Sequence, residues 1–121
     1  MKLQGKCLNL RIFCGESDKY EGQPLYEAIV FAARHAGLAG ATSHRGVMSY
    51  GPSHSIHTIK VFALSSDLPM IIDIIDKEEK ILEFIPLAES MMVDSGKGGM
   101  ITTSEVSVHR YEAGIKKGNK M

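Results

Sequence analysis

A chain of 121 residues is the size of one ordinary domain, and 44 % apolar with 23 % charged residues is the composition of a folded globular protein, not of a disordered or fibrous one. Lys+Arg and Asp+Glu both number 14, so the formal net charge is zero; this argues against a broad nucleic-acid or anionic-membrane surface and leaves room for a local anion site. No apolar run approaches the ~18 residues that span a bilayer and residues 1–10 lack the apolar stretch of a secretory signal, so a cytoplasmic protein without membrane insertion is expected.

Leu8, Leu10, Ile12 and Cys14 alternate with Asn9 and Arg11, which predicts a first strand with one buried face. Cys7 and Cys14 lie on this strand, seven steps and about 23 Å apart. That is beyond the ~7 Å Cα limit of a disulfide, so both read as strand residues. The polar stretch from Gly15 to Gly22 suits a connecting loop. Pro24 then opens a helix in which Leu25, Ala28, Ile29, Ala32 and Ala36 recur at helical spacing, with Gly37 as its stop. A second strand is predicted from Ala41 to Tyr50, and Gly51-Pro52-Ser53 breaks the chain. Ile59 to Leu64 is β-prone but short and reads as an inserted ribbon.

Met70 to Ile75 is nearly continuously apolar and β-branched, as in a central strand covered on both faces or used at an interface. Asp76 with Glu79 three residues on has the spacing of a capping box, and Ile81, Phe84, Ile85, Ala88 and Met92 make a second helix. Pro86 inside it predicts a kink or short break near Leu82 to Ile85. Met100 to Tyr111 is the last strand, with Val106 and Val108 on its apolar face, and residues 112–121 form a basic, glycine-bearing flexible tail beyond a single domain at 1–111. Strand, helix, strand, then strand, helix, strand is a ferredoxin-like βαββαβ arrangement of the α+β class: four antiparallel strands with both helices on one face. Two helices leave the other face bare, and a homo-oligomer is the simplest cover.

Three motifs bear on chemistry. Ser95-Gly96-Lys97-Gly98-Gly99 can converge backbone amides on an anion beside a mobile positive charge, or can be an ordinary turn between helix and strand. It is not a phosphate loop of the Walker kind, because Gly98 stands where Ser or Thr is required and the order is helix, loop, strand. His54 and His57, with His44, have spacing compatible with a transition metal, but no cysteine or carboxylate sits among them and polar loop and strand roles are the competing account. Glu16, Asp18 and Glu21 lack the spacing of a calcium loop and fit a solvated connection, with Glu16 or Asp18 as the acid or base of a small nucleotide-acting enzyme the remaining option. No nucleophile elbow, Cys/His pair or zinc-protease motif is present, so an enzyme is not expected.

The runs Gly15 to Gly22, Pro24 to Ile29, Gly37 to Thr42, Ile56-His57-Thr58 and Leu64 to Pro69 resemble the uncharacterised family called domain of unknown function 190, over roughly Leu8 to Val108. That family is regarded as PII-like, and the resemblance implies a signalling homotrimer with adenine-nucleotide sites in the clefts between subunits. Tyr50-Gly51 stands where a PII protein has the Phe-Gly that opens its T-loop, and Leu68-Pro69 resembles the Leu-Pro that closes it, so Gly51 to Asp67 corresponds to the segment that meets a partner protein. Ser95 to Gly99 resembles the Thr-Gly-Lys-Ile-Gly-Asp-Gly-Lys stretch whose backbone and lysine hold nucleotide phosphates, with Met100 in place of the final lysine. One phosphate-binding charge is therefore missing, which leaves AMP, ADP and ATP all open as ligands. His109 and Arg110 match the basic residues after the last strand that reach the phosphates. With no cysteine or carboxylate among the histidines, no metal is expected.

Overall fold

The structure is a computed structural model that describes residues 2–51 and 67–115, and the backbone of 57–58. Ten elements follow in chain order: β1 (Gly5–Gly15), β2 (Lys19–Tyr20), β3 (Gln23–Pro24), α1 (Leu25–His35), β4 (Ala41–Arg45), β5 (Met48–Ser49), β6 (His57–Thr58), β7 (Pro69–Asp76), α2 (Glu78–Ser95) and β8 (Met100–Val108). Four of the strands form an antiparallel sheet in the order β4-β7-β1-β8, the ferredoxin-like topology expected from the sequence.

Alternation decides what the helices cover. Leu10, Ile12 and Cys14 of β1 and Met70, Ile72 and Ile74 of β7 point at the helices and are buried. Leu25, Ala28, Ile29 and Ala33 of α1 and Ile81, Phe84, Ala88, Met91 and Met92 of α2 complete one contiguous core. Each fully buried Leu, Ile, Phe or Met side chain among them contributes about 1.5–3 kcal/mol relative to exposure. The opposite sheet face has no helix. There Phe13, Ile71 and Ile75 are half-buried and Met100 is exposed, around a pair in which Arg11 donates to both carboxylate oxygens of Asp73 at 2.7 and 2.9 Å. β7 is thus buried on one face only, despite its continuous apolar run.

Several local features differ from the sequence expectation. The Gly15 to Gly22 connection contains a two-residue hairpin, β2 with β3, whose central Glu21 and Gly22 both have positive φ, 49° and 83°. Both signs are those of the tight turn that matches strand twist. The strand expected over Ala41 to Tyr50 stops at Arg45: Gly46 donates its amide to the Pro69 carbonyl at 2.8 Å, a Cβ there would lie 2.8 Å from the Pro69 ring, and the chain turns away into β5, which pairs with β6. The ribbon expected at Ile59 to Leu64 lies outside the described residues. Gly37 does end α1, with φ 82° and the paired bonds from Leu38 to Ala33 and from Gly37 to Arg34 that satisfy the last carbonyls.

Asp76 does not act as a capping box. The cap of α2 is Lys77, with no side-chain bond, while the Asp76 carboxylate, 1 % exposed, accepts the amides of Lys77 at 2.7 Å and Ala39 at 2.8 Å. It ties the start of α2 to the turn after α1. α2 runs from Glu78 through Pro86 to Ser95 without the break that proline suggests. β8 ends at Val108, three residues before the expected end, and Tyr111 then crosses to donate its hydroxyl to the Ala39 carbonyl and to accept the Leu3 amide on its own carbonyl. Glu112 pairs with Lys2, and residues 116–121 lie outside the described part.

Candidate functional site

The sheet register sorts the loops into two ends. Gly15 faces Pro69, Phe13 faces Met100 and Arg45 faces Met70, so the 15–18 turn, the 46–51 stretch, the 67–69 stretch and the glycine turn all leave the same end of the sheet.

Within the glycine turn, each residue has a local task. Ser95 is the last residue of α2; its hydroxyl donates to the Met92 carbonyl at 2.7 Å and accepts the Lys97 amide at 3.3 Å. Gly96 takes φ 74° and returns its amide to the Val93 carbonyl at 3.0 Å, a left-handed helix stop. Gly99 packs against β1 so closely that a Cβ would sit 2.5 Å from the Phe13 carbonyl oxygen and 2.4 Å from the Met92 methyl. The amides of Gly96 and Lys97 are therefore engaged. The helix presents its C-terminal, negative end here, with no basic residue in its last turn. Lys97 thus has to outweigh the dipole, which makes it the dominant attractive charge of the turn.

Tyr50 and Gly51 follow β5 on the same end, and a Cβ at Gly51 would meet nothing within 4 Å among the described residues. The edge strands β4 and β8, which lead to these two segments, are three strand spacings apart, about 14 Å. His109 and Arg110 do not join them within one chain. They follow β8, eight steps or about 27 Å beyond Met100, at the opposite end of the sheet. There Arg110 pairs with Glu112 at 3.2 Å and the His109 carbonyl accepts from Gln4 at 3.4 Å.

The acid residues of the first loop have structural partners. Glu16 accepts Arg45 at 2.7 Å, and the Asp18 carboxylate accepts the Gly15 amide at 2.8 Å. Among the described residues no group of three or more His, Cys, Asp or Glu is arranged to hold a metal. His44 is exposed on the helix-free face, whereas His54 and the side chain of His57 lie outside the described residues. Cys14 is buried, and desolvation together with the charges of Asp18 and Asp67 pushes its thiol up to about 12, which removes it as a nucleophile. Cys7 is also free and buried.

Asp67 is a residue that pattern reading passes over. Its carboxylate accepts the Ser17 amide at 2.7 Å and so fixes the chain just before β7 to the first loop. An Asp before Leu-Pro is the visible signal, since a short acceptor at a strand entry commonly binds nearby amides.

No helix among the described residues is long and apolar enough to cross a membrane. In solved structures, the fold is similar to that of CPII, a nitrogen regulatory PII-like protein from Thiomonas intermedia K12 bound to ADP, AMP and bicarbonate; the match has TM-score 0.58 and 21 % identity and covers 87 % of this chain and 90 % of that one. A UPF0166 protein of Aquifex aeolicus (strain VF5) is 38 % identical over 99 residues, 82 % of this chain and 90 % of the relative. Another, from Methanocaldococcus jannaschii, is 31 % identical over 103 residues, 85 % and 92 % of the two chains. The family profile described as Uncharacterized ACR matches residues 7–108, and on that match and those relatives this chain belongs to the domain of unknown function 190 family.

Proposed function

We propose that this protein is a PII-like regulatory module, not an enzyme, that binds an adenine nucleotide with its phosphates against Lys97, Gly98 and Gly99. The observation that carries this reading is the placement of the lysine-bearing glycine turn at the same end of the sheet as Tyr50 and Gly51, the start of the T-loop-like segment. The likeness in fold to CPII, which binds ADP and AMP, supports an adenine nucleotide as the ligand class. His109 and Arg110, at the far end of β8, reach the phosphates only from a neighbouring copy. The site is therefore shared between subunits of a homotrimer, which covers Phe13, Ile71, Ile75 and Met100 on the helix-free face. Gly51 to Asp67 then engages a partner protein in the cytoplasm according to occupancy.

Calorimetric titration with AMP, ADP and ATP tests this. A charge-assisted phosphate contact is worth about 1.5–3 kcal/mol, so Lys97→Ala weakens binding by roughly tenfold to a hundredfold. The absence of heat with all three nucleotides overturns the reading.

A further inference from the structure

α2 carries charge that the rest of the chain has to balance. Its 18 residues hold five carboxylates, Glu78, Glu79, Glu83, Glu89 and Asp94, against one cation, Lys80, in a protein whose formal net charge is zero. The Lys80 ammonium is already engaged by the Gly37 carbonyl at 2.9 Å. Among the described residues none of the five carboxylates forms an ion pair. The helix dipole accounts for Glu78 and Glu79 in the first turn, but it gives no reason for Glu83 and Glu89 and disfavours Asp94 near the C-terminus.

Between these carboxylates runs an apolar ridge. At about 100° per residue, Leu82, Pro86 and Val93 fall within about 40° of one another on the side turned from the core, with Glu78 and Glu89 along one flank and Glu79 and Glu83 along the other. Leu82 is 50 % exposed and Val93 72 %. The ridge is about 17 Å long, roughly three helical turns. Pro86 adds an acceptor beside it, because this residue has no N–H to return to the Leu82 carbonyl. On the α1 side, Ala36, Leu38, Lys80, Glu83, Phe84 and Leu87 line a hollow of about 100 Å³. Apolar walls with the exposed carboxylate of Glu83 among them suit the aliphatic stem and charged tip of a lysine or arginine.

We propose that the outer face of α2 is a docking surface for a basic amphipathic helix of a partner protein, whose apolar residues straddle Leu82, Pro86 and Val93 and whose lysines or arginines meet Glu79, Glu83 and Glu89. Charge decides the occupant: a face of this sign repels an anionic lipid surface, a nucleic acid or an acidic segment and draws in a cationic helix. Packed helices lie about 8–10 Å apart, within reach of such flanking pairs. Docking there needs no nucleotide.

Calorimetric titration of the full chain, without nucleotide, tests this with a synthetic peptide of about 18 residues that carries Leu at i, i+4, i+7 and i+11 and Lys on both flanks. The peptide binds wild type, and the affinity falls as salt rises. Leu82→Ser weakens it by about tenfold and Glu83→Gln by about threefold at low salt, the smaller effect of an exposed ion pair. Both residues lie at the surface, so both variants melt as wild type does and the loss is read on a folded protein. Ile115→Ser and Glu112→Gln, which remove an exposed apolar residue and a carboxylate outside α2, leave the affinity unchanged, and the same peptide with Glu in place of Lys does not bind. No heat with the basic peptide, equal binding of the Glu peptide, or losses of the same size in Ile115→Ser and Glu112→Gln overturns the proposal. Self-association of wild type in sedimentation that Leu82→Ser abolishes and the peptide cannot displace assigns the face to a second copy of this chain, and overturns the basic partner as well.

Discussion

Gly99→Ala separates what the glycine turn does for the fold from what it does for a ligand. The added methyl would lie 2.4 Å from the Met92 terminal methyl and 2.5 Å from the Phe13 carbonyl oxygen. Met92 can swing its flexible end aside. Phe13 cannot, because its backbone is held in register between β7 and β8, opposite Ile71 and Met100. The strain of forcing a methyl into such a contact is typically about 1–3 kcal/mol. For a domain of this size that lowers the melting temperature by roughly 4–15 °C. The assay is thermal unfolding followed by circular dichroism without nucleotide, with Gly114→Ala as control, since a Cβ at Gly114 meets nothing within 4 Å among the described residues. Lys97→Ala in the same assay leaves the melting temperature unchanged, because its side chain is exposed. A Gly99→Ala protein that melts within a degree of wild type refutes the close approach of this turn to β1.

Asp76→Ala leaves two part-buried amides, of Ala39 and Lys77, without their acceptor and costs about 2–4 kcal/mol in urea unfolding; Asp76→Asn, which keeps one acceptor oxygen, costs less, and equal losses would contradict the two-amide account. The Cys14 thiol, raised from about 9 to about 12, resists iodoacetamide at neutral pH until the chain is unfolded. Because the unfolded thiol ionises first, its share of stability is complete below about pH 9 and declines toward pH 12, by about 2 kcal/mol at pH 10.5. Cys14→Ala removes that share of the alkaline loss, and identical losses in variant and wild type would discount the burial of this thiol. Asp73 is held below the ordinary carboxylate range, first by its hydrogen bond from Arg11, so its stabilisation is present above that range and lost as pH falls through its folded value. Asp73→Asn therefore flattens the acid limb of stability against pH in urea titrations, and an unchanged limb would count against the pair.

The sheet and helices were legible because their signals are periodic. Leu10, Ile12 and Cys14 alternate, and Ile81, Phe84 and Ala88 keep helical spacing, so register and core follow from pattern alone. What pattern could not supply was contact between distant segments. Asp76 followed by Glu79 has the local form of a cap, but the amide of Ala39, far off in sequence, competes successfully for the carboxylate. Gly46 ends β4 because Pro69 stands beside it across the sheet, a fact absent from the sequence around Ser43 to Tyr50. At the glycine turn, the residue types were visible, but their division of labour was not: Gly96 and Gly99 serve helix stop and strand packing, which leaves Lys97 as the charge that an anion would meet. The opposite placement of Arg110 and Lys97 likewise follows only from the direction of β8.

The bridge of Lys2 to Glu112 and the bond between Leu3 and Tyr111 bring the two extremities of the described fold side by side, at the pole remote from the glycine turn. A short artificial splice between the two extremities, with a new opening made elsewhere, would re-thread the same architecture in a different chain order. Within the described residues the fold is in this respect a loop whose seam lies beside His109 and Arg110.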